Sequence, residues 1–167
     1  MTSVIQLFCE TAFGLRTMKS IPFALVTLII SFHAHAGAWG EGSFDNDDAL
    51  DWVTECTQSK GIGMIAKTLE TALQATYIKA PDGSSAVAAA EVVAAALGRP
   101  NPAIPPELSA WIKQQPLANL AQLTPLARRA LARIQDPKLS ELKQLWSEST
   151  PSKWPAAIVE LDARLGR

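Results

Sequence analysis

Histidine, cysteine and tyrosine are scarce in this sequence, which has 2 His, 2 Cys and 1 Tyr among 167 residues. Both histidines, His33 and His35, lie near the N-terminus, in a segment that is predicted below to be removed. Without histidine, a folded domain cannot use Ser-His or Cys-His nucleophiles or a histidine-ligated zinc ion. Two cysteines are also too few for a disulfide scaffold. We therefore expect neither a catalytic residue nor a metal ligand of these types.

The sequence also lacks an excess of charge of one sign. Its 15 basic and 16 acidic residues leave a net charge of −1, so no overall basic field attracts nucleic acid or acidic membranes. A GxxxxGK[ST] motif is missing, and no GxGxxG motif follows a strand. Arg128, Arg129 and Arg133 share one face of a predicted helix, which we interpret as a solvated face. Neither a nucleic-acid partner nor a cofactor is expected.

Alanine and leucine are abundant, with 27 Ala and 19 Leu in a chain that is 48% hydrophobic. Such a composition is too apolar for a disordered chain and favours helices over strands. Apolar residues recur at helical spacing, and no strand pattern of any length interrupts them. We predict an all-α fold, a compact bundle of six to seven helices.

The segment 18–36 has the three parts of a secretory signal peptide. Met18 and Lys19 give a positive start, residues 21–32 form an uncharged apolar run of 12 residues, and an A-x-A pattern ends at Ala36. That run is shorter than the roughly 20 residues that span a bilayer. We predict cleavage between Ala36 and Gly37 and export to the periplasm or the exterior, the alternative being an uncleaved anchor that tethers the domain to a membrane.

Two consequences follow for the ends of the folded domain. Residues 1–17 precede a complete signal peptide with its own Met, so we expect translation to start at Met18. Cleavage would leave a single domain, 37–167, with 131 residues, a net charge of −2 and no stable membrane span. A domain of this size buries a core without disulfides. Cys56 lies on a predicted apolar helix face, so burial is expected, and pairing between chains stays open.

Glycine and proline separate the predicted helices. The third is apolar on nearly all faces, which is typical of a central helix packed on several sides. We expect it to follow a turn at Pro81-Asp82-Gly83 and to end at Gly98. The predicted helices cover residues 46–59, about 64–78, about 84–97, 107–115, a segment capped by Thr124 before Pro125, a short segment starting at Pro137, and a last segment carrying Trp154, Ile158, Leu161 and Leu165. On the exposed side of the last helix, we expect Glu160 and Arg164 to form an i,i+4 pair.

Four aspartates surround the start of the first helix: Asp45, Asp47, Asp48 and Asp51. Such a cluster suits a hard cation like Ca²⁺. An EF-hand loop starting at Asp45 fails, however, because Leu50 stands where Gly is needed and Cys56 where Glu is needed. Acidic residues in the first turn stabilise a helix N-terminus without any metal. We therefore expect helix capping and no metal site.

Glu91 is the one charged residue within the predicted central helix. A buried carboxylate must be hydrogen-bonded, paired or protonated, and such groups are also catalytic candidates. We interpret Glu91 as a structural partner of Arg128 or Arg129, or of N–H groups in the segment that opens the mature domain. Catalytic use of Glu91 is the alternative.

The mature domain would open with G-A-W-G-x-G-x-F-x-N-D-x-A-x-D-W over residues 37–52. This string, together with residues 89–93 and 127–131, resembles the bacterial family called domain of unknown function 4259. The resemblance carries over no activity and no functional residue. Members usually begin at this motif, which implies that this chain is an exported version. We expect Gly37, Gly40 and Gly42 to allow tight turns and positive φ, and Trp39 and Phe44 to be apolar anchors.

Two function classes remain. The first is a non-enzymatic exported interaction module with an unknown protein partner, for example a toxin-neutralising one. The second is a carboxylate-dependent envelope hydrolase or a small-ligand-binding protein. An open cleft shared by Glu91, Asp51 and Trp52 would favour the second class. The candidate binding residues are Trp39, Phe44, Asp47, Asp48, Asp51, Trp52 and Glu91.

Overall fold

The computed structural model describes residues 40–149 and 151–166. The predicted signal peptide, its cleavage position between Ala36 and Gly37, and Trp39 lie outside these residues. The described part is all-α, as predicted, and has eight helices where six to seven were expected. Its eight helices are α1 (Asp47–Gln58), α2 (Gly63–Gln74), α3 (Ala80–Ala96), α4 (Pro106–Lys113), α5 (Leu117–Ala121), α6 (Thr124–Ile134), α7 (Glu141–Glu148) and α8 (Trp154–Gly166).

Helix α3 is the centre of the bundle, and it contacts every other helix of the described chain. Most of its side chains are alanine or valine, and residues 86–94 are all buried. Small side chains let neighbouring helices approach closely on all sides. The helix ends as predicted, because Gly98 adopts φ +80° just after the C-cap Leu97, a conformation that favours glycine.

The predicted turn at residues 81–83 is wrong, because these residues form the first turn of α3. Proline is tolerated there, since the first N–H groups of a helix have no intrahelical partner. The N–H of Ala80 instead donates to the Glu141 carboxylate at 2.9 Å. Gly83 packs against Leu142, and a Cβ added at Gly83 would lie 3.2 Å from a Leu142 methyl carbon. The α3–α7 contact therefore draws this segment into the helix.

Three other boundaries differ from the prediction. Helix α2 stops at Gln74, since Ile78 forms an isolated bridge with Ser140 before α7. Ser140 then caps α7 by accepting from the N–H of Lys143, so α7 starts at Glu141 and not at Pro137. Thr124 is the first residue of α6 and not its cap. The five residues of α5 are too few for a periodic pattern.

The two ends of the bundle follow the sequence pattern closely. Asn46 caps α1 by accepting from the N–H of Ala49 at 2.9 Å, with Asp47 and Asp48 in the first turn. Cys56 is buried, as expected. All four apolar residues predicted for the last helix are buried in α8. Within the described ranges, no helix is both long enough and apolar enough to cross a membrane.

Candidate functional site

Glu91 lies in the interior of α3 with a side chain that is 1% exposed. Its carboxylate accepts four hydrogen bonds. Arg164 of α8 donates two of them, from Nη1 to Oε2 at 2.7 Å and from Nη2 to Oε1 at 2.8 Å. The Ser43 hydroxyl and the Asn101 amide donate the others to Oε1, at 2.7 and 2.8 Å. The charge is therefore neutralised and both oxygens are occupied.

Three separate segments converge on this carboxylate. Ser43 belongs to the loop before α1, Asn101 to the proline-rich connection after α3, and Arg164 to the last helix. The connection and the last helix are also joined through backbone carbonyls. The Arg164 guanidinium donates to the carbonyl of Arg99 at 3.0 Å, and the Arg99 guanidinium donates to that of Arg164 at 2.6 Å. The two charge-assisted bonds from Arg164 to Glu91 form a bidentate pair, which fixes the relative orientation of the two side chains.

The pKa of Arg164 reflects two opposing influences. Burial lowers it, but the hydrogen bonds and charges of Glu91 and Glu160 outweigh burial and raise the pKa above its ordinary value. Glu160 forms the predicted i,i+4 pair, accepting from Arg164 Nε at 2.8 Å. The expectation that this pair lies on the exposed side of the helix is wrong for Arg164, whose side chain is only 14% exposed. The Arg164 guanidinium points into the bundle, where it forms the ion pair with the buried Glu91 carboxylate.

The predicted partners of Glu91, Arg128 and Arg129, are wrong. Arg128 instead binds Asp162 on the surface, with Nε 3.0 Å from Oδ1, and the hydrogen bond with Asp162 raises the pKa of Arg128. The opening segment does supply a donor, but it is the Ser43 hydroxyl. Arg133 also departs from the predicted solvated face, since it is half-buried and donates to the carbonyl of Ala75.

The loop before α1 is closed by Asp45. Its carboxylate accepts from the N–H of Gly42 at 2.9 Å, and its carbonyl accepts from the N–H of Gly40 at 3.0 Å. A Cβ at Gly40 or Gly42 would collide with the Asp45 side chain. The expected positive φ is wrong for Gly42. This position instead holds the Asp45 side chain at a distance that leaves no room for a Cβ. Phe44 is 6% exposed and packs into the core.

The aspartates of α1 do not meet Glu91. Asp47 and Asp51 are exposed and Asp48 is half-buried. Burial raises the pKa of Asp48, and the charges of Asp51 and Asp47 add to this shift. Among the described residues, no group of three or more acidic, Cys or His side chains is placed to hold a metal ion.

Trp52 lies apart from Glu91, beside an open groove of about 450 Å³ between α1, α2 and the start of α3. The indole is 5% exposed, and its N–H donates to the Thr68 hydroxyl at 2.9 Å. The groove is lined by Trp52, Glu55, Gly63, Met64, Lys67, Thr68, Thr71, Asp82 and Ser85. Neither Glu91 nor Asp51 belongs to this lining, so the three residues do not share this groove.

Sequence reasoning missed Arg164, Asn101 and Ser43 as partners of Glu91, and Lys67 and Asp82 as groove residues. One signal was available for Arg164. It lies between two apolar positions of the last helix, Leu161 and Leu165, which are both buried. For Ser43 and Asn101, which lie 48 and 10 residues from Glu91, no local pattern carries the contact.

The fold and the site together define a small all-α domain in which the one buried charged residue of the described chain is held in a structural ion pair. The chain belongs to the family "Domain of unknown function (DUF4259)", whose model matches residues 37–157. The family resemblance seen in the sequence is thereby confirmed. Ser43, Glu91 and Asn101 lie within the matched range, and Arg164 lies beyond it. No curated protein and no solved structure matches the chain.

Proposed function

We propose that this domain is an exported, non-enzymatic module that binds another protein, for example as a toxin-neutralising partner. The observation that carries the proposal is the state of Glu91, the strongest catalytic candidate in the sequence. Its carboxylate is buried and accepts four hydrogen bonds, so it has no free oxygen for a substrate. Buried ion pairs of this kind serve packing and specificity more often than chemistry.

The groove beside Trp52 supports a binding role. It is open, and three helices form its walls. Its lining includes an indole edge and a Met side chain, which are residue types enriched at protein interfaces, beside hydroxyls and charged groups. Because the walls are helical and Trp52 is fixed by Thr68, the groove is preorganised, which lowers the entropic cost of binding.

Binding of a small molecule in the same groove is the second candidate. The volume of about 450 Å³ lies within the range of small-molecule sites. A carboxylate-dependent hydrolase would have to use Glu55 and Asp82 there, since Glu91 is occupied.

Site-specific photocrosslinking in the producing cell tests protein binding. A benzophenone amino acid replaces Thr71, which is exposed and lines the groove. The matched control replaces Arg129, which is exposed on α6 and does not line it. We expect a discrete protein adduct at Thr71 that is absent at Arg129. Equal labelling at both positions, or no adduct at Thr71, would overturn the proposal, and an adduct of small mass would favour the second candidate.

Export rests on the signal-peptide features of residues 18–36 and has its own test. Fractionation of the producing cell, with N-terminal sequencing of the mature protein, should give a chain that starts at Gly37 outside the cytoplasm. A chain that retains Met18 and sediments with membranes would show the tethered alternative.

A further inference from the structure

Helix α1 carries four carboxylates and no basic residue. These are Asp47, Asp48, Asp51 and Glu55. Asp82, in the first turn of α3, adds a fifth carboxylate across the groove from Glu55. None of the four ion pairs in the described part of the chain uses any of these five groups. These carboxylates therefore leave an excess of negative charge on the surface around the groove, which Lys67 only partly offsets.

The stability of α1 accounts for only part of this charge. Asp47 and Asp48 lie in the first turn, where the helix macrodipole favours negative charge. Glu55 lies in the last turn, where the macrodipole disfavours negative charge and which holds no basic residue. Asp48, Asp51 and Glu55 are spaced at intervals of three and four, so they share one face with Trp52. The pKa of Asp48 is raised, first by burial and then by the charges of Asp51 and Asp47, so the ionised form of this carboxyl opposes folding.

The groove adds shape to this charge. Glu55 and Asp82 line it from two different helices and are exposed to solvent, whereas Met64 and Thr68 in the same lining are half-buried. Lys67 on α2 is the one cation of the lining, so the groove itself has a net charge of −1. A concave surface with an excess of one sign of charge attracts ligands of the opposite sign and speeds their association.

We propose that the groove binds a cationic, lysine- or arginine-rich segment of a partner protein, with Glu55 and Asp82 receiving the basic side chains. This inference rests on the proposed function and names the chemistry of the partner. Apolar atoms of Met64 and the edge of Trp52 accommodate the aliphatic stems of those side chains. Lys67 opposes the same ligand and limits its affinity.

The test adds the purified protein, as isolated from the producing cell, to a fixed low concentration of a fluorescein-labelled peptide and follows fluorescence anisotropy. The probes are a peptide of alternating lysine and leucine and its glutamate–leucine counterpart. At an ionic strength of about 0.15 M, we expect the lysine peptide to bind at least about tenfold more tightly than the glutamate peptide, and its affinity to fall as salt is added. Equal binding of the two peptides, or no binding of the lysine peptide, would overturn the inference.

Charge-matched variants locate the binding to the groove. The double variant E55Q/D82N should weaken the lysine peptide about five- to tenfold. The control E70Q/E148Q removes two exposed carboxylates that do not line the groove, and should change affinity less than about twofold. K67E should tighten binding several-fold, a gain that misfolding cannot imitate. Equal weakening by the groove and control variants would show non-specific attraction and contradict the inference.

Repeating the Thr71 crosslinking in the E55Q/D82N background separates the two proposals. Loss of the protein adduct supports a cationic partner. An adduct of undiminished yield leaves protein binding intact and overturns the cationic class. No adduct in the parent chain contradicts the proposed function itself.

Discussion

Glu91 and Arg164 are 73 residues apart and meet through two parallel hydrogen bonds of 2.7 and 2.8 Å in the interior of the bundle. The pair fastens α8 onto α3, and Ser43 and Asn101 fasten two loops to the same carboxylate. One ionic centre thus fixes the relative positions of the opening loop, the central helix and the last helix.

Removing the cation from this centre should be costly. In R164A, the Glu91 carboxylate stays buried without its charge partner, and we expect the free energy of unfolding to fall by about 3–5 kcal/mol in urea denaturation. The matched control is R128A, which breaks the exposed pair with Asp162 and should cost far less, since exposed ion pairs contribute little to stability. The double variant E91L/R164M removes both charges and should lose less than R164A alone. Equal losses in R164A and R128A would contradict a structural role for the ion pair.

Gly42 should be sensitive to an added side chain. A Cβ there would lie 2.5 Å from an Asp45 carboxylate oxygen, so in G42A the exposed Asp45 side chain must move and give up its hydrogen bond from the Gly42 N–H. We expect a loss of about 0.5–1.5 kcal/mol. Adding D45A should recover part of that loss, because the collision is removed. G63A is the control, since nothing lies within 4 Å of its new Cβ, and it should stabilise by about 0.4–1 kcal/mol. The absence of coupling between G42A and D45A would refute this account of the glycine.

Cys56 should be inert in the folded domain. Burial raises the pKa of its thiol from 9.0 to about 12, and the thiolate is the reactive species. We expect no reaction with a disulfide reagent at about pH 8 until denaturant is added, whereas a cysteine placed at the exposed Thr54 should react at once. Because the pKa of the thiol is higher in the folded than in the unfolded chain, this thiol should not affect stability below pH 9. The free energy of unfolding should fall as pH rises from 9.0 toward 12. Rapid labelling of the native protein, or a disulfide-linked dimer, would contradict burial.

Asp48 should make the domain less stable as its carboxyl ionises. Its folded pKa lies above the ordinary 3.8, first because of burial and then because of Asp51 and Asp47. The folded state therefore holds the proton more tightly, and stability falls as pH rises through 3.8 toward the folded pKa. Measured against D48N at each pH, the wild type should lose stability over that window. NMR titration should show a lower pKa for Asp48 in D51N, and an unchanged one would exclude the Asp51 contribution.

Local sequence signals predicted those parts of the fold that depend on near neighbours. The acidic first turn of α1, the stop at Gly98 and the buried stripe of α8 all arise within one or two helical turns. The turn expected at residues 81–83 failed because proline suits both a turn and the first turn of a helix. Glu141 of α7 favours the helix over the turn, because its carboxylate accepts from the N–H of Ala80 at the start of α3.

For the candidate site, too, one part followed from local sequence signals and the other from tertiary packing. The sequence alone established that the chain is helical, that Cys56 is buried, and that a carboxylate at position 91 needs a partner, because periodicity and the cost of burying charge are local properties. Only the tertiary structure decided that the partner is Arg164, and that Glu55 and Asp82 line the same groove from two different helices. Arginine side chains at 128, 129 and 164 are chemically equivalent in sequence, and the packing of α8 against α3 brings just one of them to the buried carboxylate.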